Sequence, residues 1–209
     1  MNCLFKLVFP TFVSPIIKTF ISIFFDKYIF ISDEKSSTIG YDTVRKEIEI
    51  NNKLITLLIW DTCGQEQYRS INNMFLKNSK IVIFVYDITN KKSFIELQNY
   101  WYPLINHKLG NEIILGIAGN KSDLYENEEV NEEEAREFSK NINAIFNLTT
   151  AKNNEAINYL IKDLLTKYIE NGNYEKDLEN EKNNINSIII EEQDENKKKN
   201  KVNCCKKQK

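Results

Sequence analysis

Apolar and polar positions along this chain alternate between two periods. In 43–50, TVRKEIEI, Val44, Ile48 and Ile50 fall on one face and Arg45, Glu47 and Glu49 on the other. Strict alternation of this kind predicts a half-buried edge strand. Asn51-Asn52 is a turn signal, and LITLLIW (54–60) follows as an unbroken apolar run. The pair reads as a hairpin whose second strand is buried on both faces. FKLVF (5–9), IVIFVY (81–86), IILGIAG (113–119) and AIFNL (144–148) predict further strands, the last a short one. Helical spacing fills the gaps between them. Ser93 with Glu96 has the spacing of a capping box ahead of Phe94, Leu97, Trp101, Leu104 and Ile105, and Asn131 with Glu134 repeats it ahead of Ala135 and Phe138. Ile157, Leu160, Ile161, Leu164, Leu165, Tyr168 and Ile169 form an apolar stripe that predicts a closing helix. Buried strands alternating with amphipathic helices imply an α/β fold of three layers. It has a mostly parallel sheet of about six strands, one antiparallel edge hairpin and helices on both faces. Ligands of such folds sit at the carboxyl ends of the strands.

Beyond about residue 170 the pattern stops, and 171–209 read as a flexible tail whose only apolar cluster is SIII (187–190). The 209 residues suit one domain, 1–170, plus that tail, and 42% hydrophobic content is enough for a packed core. A net charge of −2 gives no bulk field for nucleic acid. Cys3, Cys63, Cys204 and Cys205 have neither metal-ligand spacing nor a disulfide framework, which suits a reducing compartment. The longest uncharged N-terminal run, Leu7–Ile17, is 11 residues, contains Pro10 and Pro15, and is too short to span a bilayer.

Four segments carry candidate chemistry, each beside a strand. In WDTCGQE (60–66), Asp61 can hold Mg²⁺ through water. Gly64 lets the backbone approach a terminal phosphate, and Gln65 can orient an attacking water. In NKSD (120–123), Asp123 offers two acceptor oxygens to the adjacent N1–H and 2-amino donors of guanine, a pair adenine does not have. Asn120 can brace that loop, and the Lys121 stem can lie along the base plane. In TTAK (149–152), the loop of Thr150, Ala151 and Lys152 can present backbone N–H groups to a base carbonyl. In STIGYDT (37–43), Thr38 can give its hydroxyl to Mg²⁺ and its N–H to a γ-phosphate. Each segment alone is also an ordinary polar turn; the order of all four is what carries weight.

In that order, TIGYD, WDTCGQEQYRS, FVYDITN, GNKSD and TTAK resemble the Ras superfamily of small GTPases, and within it the Rab family, over about residues 38–169. The resemblance implies a GTP-binding and hydrolysing switch in vesicle traffic, with GTP/GDP and Mg²⁺ as cofactors. It implies Gln65 as the catalytic residue, and a GEF, a GAP, effectors, a prenylation escort and GDI as partners. Rab proteins carry C-terminal cysteines that take geranylgeranyl groups, so Cys204 and Cys205 are the matching prenylation sites. The seven lysines of 197–209 would add attraction to anionic lipid. The implied location is the cytoplasmic face of an endomembrane, Golgi or endosomal, cycling with the cytosol. FKLVF is similar to the first strand of Golgi retrograde Rab proteins. Of the family's effector-facing aromatic triad, the matching positions are Thr43, Trp60 and Phe75, and only the tryptophan is kept.

One departure is large. The family pattern G-x-x-x-x-G-K-[ST] wraps the β-phosphate with backbone N–H groups. Its Lys reaches the β- and γ-oxygens and its Ser/Thr binds Mg²⁺. Lys18 and Thr19 stand in the closing positions, but no glycine precedes Gly40, Pro10 and Pro15 remove donors, and Ile17 replaces the glycine before lysine. Residues 1–31 are atypical on this account. Either the loop is degenerate, leaving a Rab-like interaction module deficient in nucleotide binding, or PTFVSPII comes from a misplaced splice junction.

Overall fold

The computed structural model describes residues 3–9, 41–62, 76, 78–110, 113–180 and 182–183, with side chains described from 45 to 59 in the first two of these ranges. Lys18, Thr19, Thr38, Cys63, Gly64, Gln65, Phe75, Cys204 and Cys205 lie outside the described residues. The chain forms two compact units, Asn2–Tyr168 and Ile169–Lys209 together with Met1.

The first unit holds a sheet of six strands. They are β1 (Cys3–Phe9), β2 (Tyr41–Ile50), β3 (Lys53–Thr62), β4 (Ile81–Asp87), β5 (Ile114–Asn120) and β6 (Ile145–Leu148), in the order β2-β3-β1-β4-β5-β6. Among the described residues only β2 and β3 pair antiparallel; every other pairing between these strands is parallel. Asn51 (φ 51°) and Asn52 (φ 60°) make the hairpin turn. Two successive left-handed residues give the tight twist that two-residue hairpins need, and asparagine tolerates it better than most. The β2 alternation holds, with Arg45, Glu47 and Glu49 exposed and Ile50 buried. In β3 the apolar run overstates burial, because Leu54 beside the turn remains exposed opposite Glu49, whereas Ile55, Leu57 and Ile59 are buried.

Helices cover both sheet faces, as the pattern implies. On one face, Val82, Phe84 and Tyr86 of β4 and Leu115 and Ile117 of β5 join Phe94, Leu97, Trp101, Ile105 and Ala135 in one core. Those helical residues come from α1 (Lys91–Glu96), a π-helical turn (Leu97–Trp101), α2 (Tyr102–Leu109) and α3 (Glu132–Asn141). On the other face Gly116 lies against Leu164 of α4 (Glu155–Glu170), where a Cβ would come within 2.9 Å of Leu164 Cδ1. The α4 stripe is buried at Ile157, Leu160, Ile161, Leu164, Leu165 and Tyr168.

Three local details differ from the pattern. The first helix starts at Asn90, not Ser93: the Asn90 side chain accepts from the Lys92 N–H. Ser93 turns inward instead, donating to the Asn90 carbonyl at 2.7 Å and accepting from the Asp87 N–H at 3.0 Å. Asn131 does cap α3, but Glu134 pairs with Lys91 rather than closing a capping box. The helix widens before Pro103, with the Tyr102 N–H donating to the Leu97 carbonyl five residues back. Proline has no N–H and crowds the carbonyl four residues earlier, and a π-turn relieves both. In the second unit residues 173–180 are helical, so regular structure outlasts the expected limit near 170. Gly172 (φ 70°) ends α4, and a new turn starts with the Lys176 N–H donating to its carbonyl.

A cavity of about 370 Å³ opens between β2 and α4, floored by Ile48, Ile50, Ile161 and Leu165. Ile50 pairs with Lys53 at the start of β3, so this cavity lies toward the amino ends of the parallel strands. The candidate chemistry lies at the other end.

Candidate functional site

The site is built where β4, β5 and β6 end side by side. Asp87 pairs with Asn120 and Gly119 with Leu148 in the register. Beyond these ends the backbone stitches the loops together. The Thr149 N–H donates to the Gly119 carbonyl at 2.8 Å, and the Ser122 N–H to the Thr149 carbonyl at 3.0 Å. These bonds hold NKSD and TTAK against each other, although 25 residues or more separate the two segments in the chain.

The side chains repeat that tie. Asn120 is 1% exposed, and its Oδ1 accepts from the Thr149 hydroxyl at 3.4 Å. Asp123 Oδ1 accepts from the Thr150 hydroxyl at 2.6 Å, and Oδ2 meets Lys152 Nζ at 2.6 Å. Burial alone pushes the Asp123 carboxyl up. The bonds from Lys152 and Thr150 outweigh it and hold the group below the usual carboxylate range. Asp123 is therefore an ionised acceptor at neutral pH, the state that binding two adjacent N–H donors requires. Thr150 also fixes its own loop, its hydroxyl accepting from the Lys152 N–H at 3.2 Å, and Ala151 stands at the apex of that turn.

Lys121 is left-handed (φ 65°, ψ 33°), which costs an L-residue with a Cβ about 1–2 kcal/mol. The turn lets Ser122–Asn127 start as a 3₁₀ helix at once, the Leu124 N–H donating to the Lys121 carbonyl at 2.8 Å. The Lys121 ammonium reaches Asp87 Oδ2 at 2.6 Å, while Asp87 Oδ1 accepts the Thr89 N–H at 2.9 Å and the Thr89 hydroxyl at 2.7 Å. Asp87 and Thr89 lie in FVYDITN, one of the segments that carry the resemblance, but the motifs by themselves gave neither residue a role. The signal was there: an acid ending an otherwise fully apolar buried strand needs a cation near it.

Asn120, Lys121, Asp123, Thr150, Ala151 and Lys152 are thus brought together. For the phosphate side, the described residues give backbone only. Asp61 lies one residue from the end of β3, in register with Phe9, the last residue of β1, and with Asp42 of β2. Thr43 and Trp60, two of the expected effector-facing positions, are directly opposite one another in the hairpin. Among the described residues no cluster of His, Cys, Asp or Glu could hold a metal ion, and no helix is long and apolar enough to cross a membrane.

The family model described as Ras family matches residues 14–171, which takes in Lys18 and Thr19 as well as the four motifs. Ras-related protein Rab-22A of Homo sapiens is 41% identical over 127 residues, which is 61% of this chain and 65% of that protein. Ras-related protein Rab-21 of Bos taurus is 36% identical over 139 residues, 66% of this chain and 62% of that protein. The chain thus spans a little under two thirds of the length of these relatives. With the sheet order, the parallel strand ends and the family match agreeing, the chain belongs to the Ras family, as a Rab-type member of the small GTPases.

Proposed function

We propose that this protein is a guanine-nucleotide-dependent switch of vesicle traffic. The observation that carries the reading is the ionised Asp123 carboxylate at the joined ends of β5 and β6, flanked by Asn120, Lys121 and the 149–152 turn. Lys152 and Thr150 satisfy this carboxylate. A guanine base would offer it the paired N1–H and 2-amino donors, with the Ala151 turn facing the base carbonyl and the Lys121 stem along the ring. Adenine offers no such pair of donors, so the pocket selects the base.

The nucleotide's phosphates and Mg²⁺ fit the donor chemistry of Lys18, Thr19, Thr38 and Asp61. Bound Mg²⁺ would neutralise charge on the transferred phosphoryl group. Gln65 would position water, and Gly64 would offer its N–H to the terminal phosphate. Loss of that phosphate would release the loops around Thr38 and 61–70, the two-state element that a GEF, a GAP, effectors and GDI would read. Prenyl groups on Cys204 and Cys205, with a prenylation escort to install them, would anchor the tail to the cytoplasmic face of a Golgi or endosomal membrane.

Titrating the full chain with fluorescent GDP and with an adenine counterpart tests the reading. Mg²⁺-dependent binding of GDP with rejection of the adenine nucleotide is expected; a folded sample that binds neither overturns it. Cys204→Ser with Cys205→Ser should release the protein from membranes in cell fractionation. Retention on the membrane would refute the anchor.

A further inference from the structure

Lys121 holds a backbone conformation that its own Cβ disfavours, and its side chain is anchored at the far end. Its ammonium meets Asp87 Oδ2 at 2.6 Å; the Asp87 side chain is only 7% exposed, whereas that of Lys121 is 39% exposed. The carboxylate is therefore the fixed partner and the lysine the steered one. Asp87 is held from three further directions. Thr89 occupies Oδ1 with its N–H (2.9 Å) and hydroxyl (2.7 Å), and the Asp87 N–H donates to Ser93 Oγ at 3.0 Å. Next along the chain, the Ile88 N–H donates to the Asn120 carbonyl at 3.1 Å. The end of β4 thus grips NKSD at two points, the carbonyl of the Asn120–Lys121 peptide and the Lys121 ammonium.

We infer that Asp87 is a positioning residue for base reading. It acts through Lys121, keeping residue 121 left-handed so that Asn120 and Asp123 face the 149–152 turn together. Strained residues persist only where their surroundings over-determine them, and this ion pair supplies one such constraint. Thr89 holds the carboxylate, and Ser93 the Asp87 backbone, so that the acid does not follow the lysine into solvent. The inference rests on the guanine-reading role proposed above, but it concerns the geometry of the 120–123 loop itself.

Amide hydrogen exchange on the nucleotide-free full chain tests it. The reporters are the Ser122 N–H, bonded to Thr149, and the Leu124 N–H, bonded to the Lys121 carbonyl. Asp87→Asn keeps the shape and removes the charge; Lys121→Met keeps the stem and removes the ammonium. Each should speed exchange at both reporters by about tenfold, and the double variant should go no further than either single one. Unchanged exchange in the single variants, or effects that multiply in the double variant, would overturn the inference. Should Asp87→Asn fail to fold, Lys121→Met decides alone, and unchanged reporters there refute the role. Fluorescent GDP dissociation should quicken by about tenfold in Asp87→Asn. If the wild-type chain binds no GDP, the guanine-nucleotide reading falls while the exchange data still decide the role of Asp87.

Discussion

The two ends of this site are assembled by different means. At the ends of β5 and β6, the candidate recognition residues lie in two short loops joined by backbone bonds, Thr149 to Gly119 and Ser122 to Thr149. Their side chains add a second set of ties, Thr149 to Asn120 and both Thr150 and Lys152 to Asp123. For the phosphates, the expected chemistry is spread over three segments far apart in the sequence, around Lys18, Thr38 and Asp61, and of these only Asp61 lies among the described residues. The strand register alone brings Asp61 level with Phe9. A base can be read by groups that already bind one another. A phosphate must be wrapped by N–H groups that point away from the chain's own acceptors, which asks for glycines. The ends of β5 and β6 carry the residue types that the proposed base reading asks for, and the sequence departs from those that phosphate wrapping asks for at 10–17.

The largest effect should come from repairing that departure. Replacing residues 10–17 with a glycine-bearing segment that ends Gly-Lys18-Thr19 would restore several charge-assisted bonds. At about 1.5–3 kcal/mol each, three such bonds correspond to a gain in GDP affinity of about 10³-fold or more, read by fluorescence titration. An unchanged affinity would show that the two ends are not unequal in this way. Sequencing the transcript across codons 5–20 sharpens the same point, since recovery of PTFVSPII unchanged would eliminate a misplaced splice junction.

Next in size is the loss of base reading. Asp123→Asn replaces two acceptor oxygens with one acceptor and one donor, so one guanine contact is lost and its donor faces another. GDP affinity should fall by about 10²- to 10⁴-fold, with most of the guanine-over-adenine preference. Equal loss toward both bases would place Asp123 in the scaffold instead. The sign of the pH dependence follows from its lowered carboxyl. The stability supplied by Lys152 and Thr150 is present above the unfolded carboxylate range near pH 4. It is lost only as pH falls below that range, through the folded value.

Much of this arrangement was legible before any coordinates. The strands, the Asn51-Asn52 turn and the α4 stripe follow from period and turn chemistry, which are local. That NKSD and TTAK would meet was legible for the same reason, each standing directly after a strand. What was not legible depended on partners distant in the chain. Asp87 reads as the last residue of a strand until Lys121 is found beside it. Ser93 matches a capping box by spacing, yet its hydroxyl serves the end of β4, and Asn90 takes the cap because β4 stops at Asp87. The π-turn before Pro103 is a compromise between an apolar stripe that wants to continue and a residue that cannot donate. Leu54 looked buried because a run of apolar residues does not show which of them lies at an open turn.

Gly119 tests how tightly the well-formed end is packed, with a smaller effect. A Cβ there would lie 2.7 Å from Tyr86 Oη and 2.9 Å from Leu148 Cδ2. Tyr86 is fixed by Phe94, with ring centroids 4.9 Å apart, and Leu148 by its strand. Of the two, the fully buried Tyr86 has the least room to withdraw. Gly119→Ala should cost about 1–3 kcal/mol, a fall of several degrees in Tm, and should weaken GDP binding as well. A variant with wild-type stability would mean that this end is looser than its bonds suggest.

The smallest effect tests the support beneath the same loop. Tyr86 is fully buried, and its hydroxyl has no hydrogen-bond partner among the described residues. Tyr86→Phe removes that oxygen and should leave the protein as stable or up to about 1 kcal/mol more stable at pH 7. Burial raises the Tyr86 pKa, and the negative charges of Glu128, Glu132 and Glu134 raise it further. A raised value means the folded state keeps its proton where the unfolded chain loses it. The wild type is therefore unaffected by this group below about pH 10, and above it loses about 1.4 kcal/mol per pH unit that Tyr86→Phe does not lose. Urea unfolding of both proteins at pH 9 and pH 11 measures the difference directly. A gap of about 1 kcal/mol opening between them marks the hydroxyl as sealed under Gly119. A constant gap would mean that water or another donor reaches it, and that the base-reading end rests on a less closed floor.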